Sequence, residues 1–101
     1  MPFHEVASVN DLQPGEGKVL NVNGTAIALF NLNGNFYATQ NTCPHRGGPL
    51  GEGKLDEDGV VTCPWHGYAF YVTTGEPFNF PTPIKTYPVK VENGRVFVDV
   101  E

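Results

Sequence analysis

The sequence predicts an all-β fold, a small antiparallel sandwich or barrel. Three observations carry that expectation. Asn23-Gly24, Asn33-Gly34, Asp58-Gly59 and Asn93-Gly94 punctuate the chain, and such pairs tolerate the positive φ angles of tight hairpin turns. The runs between them are short and rich in Val, Ile, Phe and Tyr. No window sustains the 3.6-residue periodicity of an amphipathic helix.

Taken in order, the strands are expected near Phe3–Val6, Lys18–Val22, Thr25–Leu32, Asn35–Gln40, Val60–Thr62, Ala69–Val72, Thr86–Glu92 and Arg95–Val100. Ser8-Val9-Asn10-Asp11 has the residues to cap one short turn, which Pro14 and Gly15 would end. The final pair is the clearest. Val89 and Val91 alternate with Lys90 and Glu92, and Val96, Val98 and Val100 alternate likewise, which predicts one buried and one wet face.

The 101 residues make a single domain, 1–101, with one modest core. No apolar run approaches the roughly 18 to 20 residues that a membrane helix needs. The N-terminus, Met1-Pro2-Phe3-His4-Glu5, lacks a basic region followed by an apolar core, so the cytoplasm is the expected compartment. Net charge is −5 and the six Lys and Arg residues are scattered, which argues against nucleic acid and anionic membrane as partners.

The chemistry concentrates between Cys43 and His66. The chain holds two cysteines and three histidines, and both cysteines and two of the histidines lie here, as Cys43-x-His45 and Cys63-x-x-His66. The segment from about 41 to 72 reads as a hairpin-based insertion: loop, strand, Asp58-Gly59 turn, strand, loop. That layout sets the two Cys/His pairs side by side at neighbouring loop tips. In reducing cytosol such cysteines suit a metal better than a disulfide.

Two thiolates and two imidazoles suit Zn²⁺ in a structural site. They equally suit a [2Fe–2S] cluster with two cysteines on one iron and two histidines on the other. The distribution favours the cluster, because zinc sites of this composition usually take both cysteines from one pair. Gly47, Gly48, Gly51 and Gly67 would let backbone N–H groups approach inorganic sulfides, and Pro44, Pro49 and Pro64 would stiffen the loops.

Cys43-Pro-His-Arg-Gly-Gly-Pro-Leu50 and Cys63-Pro-Trp-His-Gly-Tyr68 resemble the two box motifs of Rieske-type [2Fe–2S] proteins, in particular the small ferredoxins of aromatic-ring dioxygenase systems. The resemblance implies a Rieske-like sandwich with a two-loop cluster-binding subdomain. It implies one [2Fe–2S] cluster per chain, ligated by Cys43, His45, Cys63 and His66. It implies a one-electron carrier, not an enzyme, that takes electrons from a flavin-containing reductase and passes them to a terminal oxygenase. Docking would be transient and near His45 and His66. With every cluster position filled by a protein ligand, no coordination site is left for substrate. Two other functions compete: the small subunit of an assimilatory nitrite reductase, and a zinc-bound structural module.

Departures from the family pattern also carry expectations. High-potential Rieske proteins carry an extra cysteine in each box, joined as a disulfide; Gly48 and Trp65 stand at those positions here. Those proteins also place a serine and a tyrosine after the second histidine, where this chain has Tyr68 and Phe70. Phe70 cannot donate a hydrogen bond to a sulfur, so the potential should lie at the low end of the Rieske span, on the order of −150 mV. The resemblance makes Pro77–Pro83 a third loop that shields the cluster. Trp65 suits either partner docking or packing beneath its loop. Arg46 reads as solvated, Leu50 as packed over the cluster, His4 as an ordinary strand histidine and Asp56-Glu57-Asp58 as a solvated turn.

Overall fold

The computed structural model describes residues 3–44, 47–65 and 67–100. Among the described residues, ten strands form three antiparallel sheets: β1 (Phe3–Ser8), β2 (Gly17–Val22), β3 (Thr25–Leu32), β4 (Asn35–Gln40), β5 (Lys54–Leu55), β6 (Val60–Thr62), β7 (Ala69–Tyr71), β8 (Thr86–Tyr87), β9 (Val89–Glu92) and β10 (Arg95–Asp99). One sheet has the order β1-β10-β9, the second β2-β3-β4-β8 and the third β5-β6-β7. The only helical element among the described residues is a 3-10 turn at Leu50–Glu52.

The Asn-Gly pairs act as their chemistry requires. Asn23, Asn33 and Asn93 have φ of 53°, 54° and 51°, and the glycines after them are also positive. Both central residues are therefore left-handed, which is the two-residue turn whose twist matches antiparallel strands. The flanking registers, Val22 with Thr25, Leu32 with Asn35 and Glu92 with Arg95, follow directly. The Asp58-Gly59 corner differs, because only Gly59 is left-handed, at 86°. Asp56 closes it instead: its Oδ1 accepts the N–H groups of Asp58 and Val60 at 2.9 and 3.0 Å.

Strand β3 organises the core. Its run Ile27-Ala28-Leu29-Phe30 is wholly buried, as expected of a strand covered on both faces. Successive side chains point to opposite sides. Ile27 and Leu29 pack with Val96, Val98, Ala7 and Leu12. Ala28 and Phe30 pack with Leu50, Val61, Phe70 and Val72, and both cysteines belong to that same cluster. The central sheet thus has a purely structural face and a face turned to the Cys/His loops.

Three sequence expectations need correction. The predicted strand Thr86–Glu92 is two strands in different sheets, β8 against β4 and β9 against β10. Pro88 lies between them; without an N–H it cannot continue a ladder, and its carbonyl accepts the N–H of Asp99 at 3.1 Å. Alternation in β9 does not produce a buried face: Val91 is 47% exposed, because β9 is a sheet edge and only Val89 reaches the core. The first strand runs on to Ser8 through an irregularity between Glu5 and Ala7. Ser8–Asp11 is then a simple turn, in which the Asp11 N–H reaches the Ser8 carbonyl at 2.9 Å and Asp11 Oδ2 accepts the Ser8 N–H at 2.9 Å.

Candidate metal centre

Both cysteines open a loop that is closed the same way. The Cys43 N–H donates to the Gly48 carbonyl at 2.9 Å, and the Cys63 N–H donates to the Tyr68 carbonyl at 2.7 Å. Each loop is therefore pinched at its base by the cysteine itself. The first is tightened by the Gly47 N–H on the Cys43 carbonyl at 2.8 Å and by a bridge between Thr42 and Pro49. Asn41 fastens its far end: the Asn41 carbonyl accepts the Leu50 N–H at 2.8 Å and Oδ1 accepts the Gly51 N–H at 2.9 Å.

The two thiols come together, reduced and buried, with 1% and 2% of their surface accessible. Burial pushes the Cys63 thiol above its ordinary range. A hydrogen bond from the Trp65 backbone works against that, and the adjacent Cys43 thiol adds to it. A sulfur that already receives an N–H is prepared to carry the negative charge of a metal-bound thiolate. The pair lies within a hydrophobic cluster, where thiolates bound to a cationic centre are favoured over two free thiolates. The donors present therefore fit an iron–sulfur group. His45 and His66, and with them Arg46, lie outside the described residues.

Gly48 shows how close the loops approach. A Cβ added there would stand 2.6 Å from Cys63 Sγ and 3.2 Å from the Trp65 ring. The ring packs beside Gly48 and is still 48% exposed. The four loop glycines do not share one role. Gly47 and Gly51 spend their N–H groups on Cys43 and Asn41, and a Cβ on Gly51 would strike the backbone of Lys18 and Val19 at 2.9 Å. Gly51 permits the loop to lie against β2.

Leu50 is fully buried in the cluster that holds both cysteines. From the Pro77–Pro83 segment, Phe80 packs on Tyr68 at 4.7 Å and on Phe70 at 6.1 Å, whereas Phe78 is 62% exposed beside Tyr71. Phe80 is partly buried against the core and Phe78 is on the surface. Sequence reasoning passed over three amide side chains that tie this end together: Asn41, Gln40 and Asn79. Gln40 Oε1 accepts the Lys85 N–H at 2.7 Å and its Nε2 donates to the Thr42 carbonyl at 2.6 Å. The only sequence signal was an amide residue beside a turn. Asp56 serves the hairpin corner, and His4 lies in β1 with Nε2 buried.

Two buried thiols on paired loops beside an antiparallel sheet fit an iron–sulfur protein of the Rieske class. Residues 3–88 match the Rieske [2Fe-2S] domain, and the chain belongs to that family, whose cofactor is a [2Fe–2S] cluster. It is 41% identical, over 84% of its own length and 83% of the relative, to the 3-phenylpropionate/cinnamic acid dioxygenase ferredoxin subunit of Shigella flexneri serotype 5b. Among solved structures, the ferredoxin of carbazole 1,9a-dioxygenase from Nocardioides aromaticivorans IC177 superposes with a TM-score of 0.91 at 28% identity, covering 97% of both chains. The ferredoxin in a complex of reduced oxygenase and oxidized ferredoxin of carbazole 1,9a-dioxygenase gives 0.88 at 39% identity, covering 95% and 91%. A nitrite reductase small subunit from Mycobacterium tuberculosis is less similar in sequence, at 26% identity and a TM-score of 0.88, with coverage of 95% and 92%. The dioxygenase relatives are ferredoxin components, electron carriers and not catalysts.

Proposed function

We propose that this chain is the ferredoxin of a multicomponent aromatic-ring oxygenase, with Cys43, His45, Cys63 and His66 holding one [2Fe–2S] cluster. The reading treats residues 1–101 as one domain and residues 41–72 as its cluster-binding part. One observation supports it above the others: Cys43 and Cys63 sit in matching loop closures and are buried in the same cluster. When bound, the cluster supplies a one-electron redox couple. The residues around it set its terms. Leu50, Phe70 and Phe80 keep water from the cysteine side. Trp65 and Gly48 hold the two loops in contact without a disulfide. His45 and His66 would carry the other iron at the tip, where a flavin-containing reductase and then the terminal oxygenase dock in turn. Contacts of that kind stay small and short-lived so that turnover is not limited by release. The acidic surface, at net charge −5, suits docking to basic partners, and the cytoplasm is the proposed compartment.

Redox-monitored EPR of the purified protein tests the reading. A Rieske cluster appears as a red-brown protein with a reduced-state signal and a midpoint on the order of −150 mV. A colourless zinc protein, or a midpoint above about +100 mV, contradicts it. Co-purification with a sirohaem protein instead of a flavoprotein or oxygenase would transfer the chain to the nitrite reductase role. The midpoint should also fall as pH rises into the alkaline range, because ligation to oxidised iron makes the imidazole N–H groups more acidic.

A further inference from the structure

The segment Pro77–Pro83 is tied to the second cysteine loop. Asn79 Oδ1 accepts the N–H of Ala69 at 2.8 Å, and its Nδ2 donates to the carbonyl of Gly67 at 3.3 Å. One amide side chain thus grips the backbone on both sides of Tyr68. Tyr68 is the residue whose carbonyl closes the second cysteine loop on the Cys63 N–H. The neighbours of Asn79 reinforce the grip. The Phe78 N–H donates to the Ala69 carbonyl at 2.8 Å, and the Phe80 ring lies 4.7 Å from that of Tyr68. Residues 67–69 are therefore fixed from three directions by one short stretch of the third loop. The backbone held this way is the immediate continuation of His66.

We propose that Asn79 is a positioning residue for the cluster: it fixes the loop end that carries the His66 ligand, and so governs how firmly the cluster is held and at what potential it works. The inference rests on the ligand assignment made above. Its physical basis is that groups outside the ligand set orient the ligands, and that losing one typically costs 10- to 100-fold in metal affinity. Asn79 is suited to the task because an amide both donates and accepts from one rigid plane. Asparagine here serves one backbone donor, the Ala69 N–H, and one backbone acceptor, the Gly67 carbonyl. Aspartate can serve only the Ala69 N–H, and alanine neither. A graded series follows from those three side chains.

The experiment compares the full-length, cluster-loaded wild type with N79A and N79D. Three readouts are taken: the rate of loss of visible cluster absorbance in air, the EPR g-values of the reduced state, and the midpoint potential from pH 6 to 11. The thermal midpoint of each metal-free chain is measured alongside. N79A should lose its cluster about tenfold faster than wild type, with shifted g-values and midpoint, and N79D should fall between. The metal-free thermal midpoints should differ by no more than about 4–8 °C, the equivalent of roughly 1 kcal/mol in a domain of this size. Should N79A fail to fold, N79D decides, because it keeps the bond to Ala69. Variants that match wild type in cluster lifetime, g-values and potential overturn the assignment, as does a loss of thermal stability with no spectroscopic change. A wild type that takes up no [2Fe–2S] cluster overturns the ligand reading, and this inference with it.

Discussion

The two faces of β3 are built by different means. Toward β1, β9 and β10, Ile27 and Leu29 meet Val96 and Val98, and the strands involved are joined by ladders and two-residue turns. Toward the cysteines, Ala28 and Phe30 meet Leu50, Val61 and Phe70, and the covering strands are only two or three residues long. What the second region lacks in ladder it makes up with side chain-to-backbone bonds from Asn41, Asp56, Asn79 and Gln40. A frame needs only a repeating pattern. A metal centre needs irregular backbone that leaves space for the ligand, and irregular backbone must find its hydrogen-bond partners one at a time.

The difference is open to direct tests. Cys63→Ala should abolish the cluster outright, read as complete loss of visible absorbance and of the reduced EPR signal, while far-UV circular dichroism keeps the β signature. Loss of both would mean that the frame depends on the cluster. The next largest effects come from cutting each face of β3. Leu29→Ala should cost about 2–5 kcal/mol and Phe30→Ala about 3–5 kcal/mol by chemical denaturation. The pair should part company at the cluster: Phe30→Ala shortens cluster lifetime, whereas Leu29→Ala leaves the EPR line shape as in wild type. Equal spectroscopic damage from both would erase the distinction between the faces.

Gly48→Ala comes third. Gly48 is outside the left-handed region, so alanine is allowed by the backbone, and the whole penalty is steric. Its methyl would lie 2.6 Å from Cys63 Sγ, so one loop must retreat. The expected cost is about 1–3 kcal/mol, with an altered EPR spectrum. An unperturbed spectrum would mean that the loops are looser than the geometry implies.

The same contrast explains what the sequence allowed to be read. The frame was legible because Asn-Gly pairs and alternating valines state turn type and register in local chemistry. It failed at Pro88, where a local breaker decides which sheet the chain joins next, and at Val91, where burial depends on what lies across from a sheet edge. The cysteine loops were legible for another reason, as a motif of ligand types at set spacing. The 3-10 turn at Leu50–Glu52 and the two-residue β5 were too short to carry any period. The amide clamps of Asn41 and Asn79 act over ten residues along the chain, and no local pattern announces them.

The smallest expected effect concerns the metal-free protein. Burial beside Cys43 holds the Cys63 thiol above its ordinary value, despite the opposing Trp65 hydrogen bond. An unfolded chain would release that proton near the usual thiol range, about pH 8.5. Between that point and the higher folded value, the folded state holds more protons than the unfolded one. Stability contributed by the neutral thiol is therefore complete below about pH 8.5 and is lost as pH rises through the folded range. Metal-free protein should thus show a denaturation midpoint that is flat from pH 7 to 8 and declines above it. Cys63→Ser should remove part of that decline, because a hydroxyl does not titrate there. Cluster uptake should move the other way and become easier with rising pH, since both thiols must give up protons to bind. The cysteine side of β3 would then be the one part of the molecule whose stability and whose loading respond to alkali with opposite signs. A Leu29→Ala variant, altered only on the frame side, should shift both curves down without changing either slope.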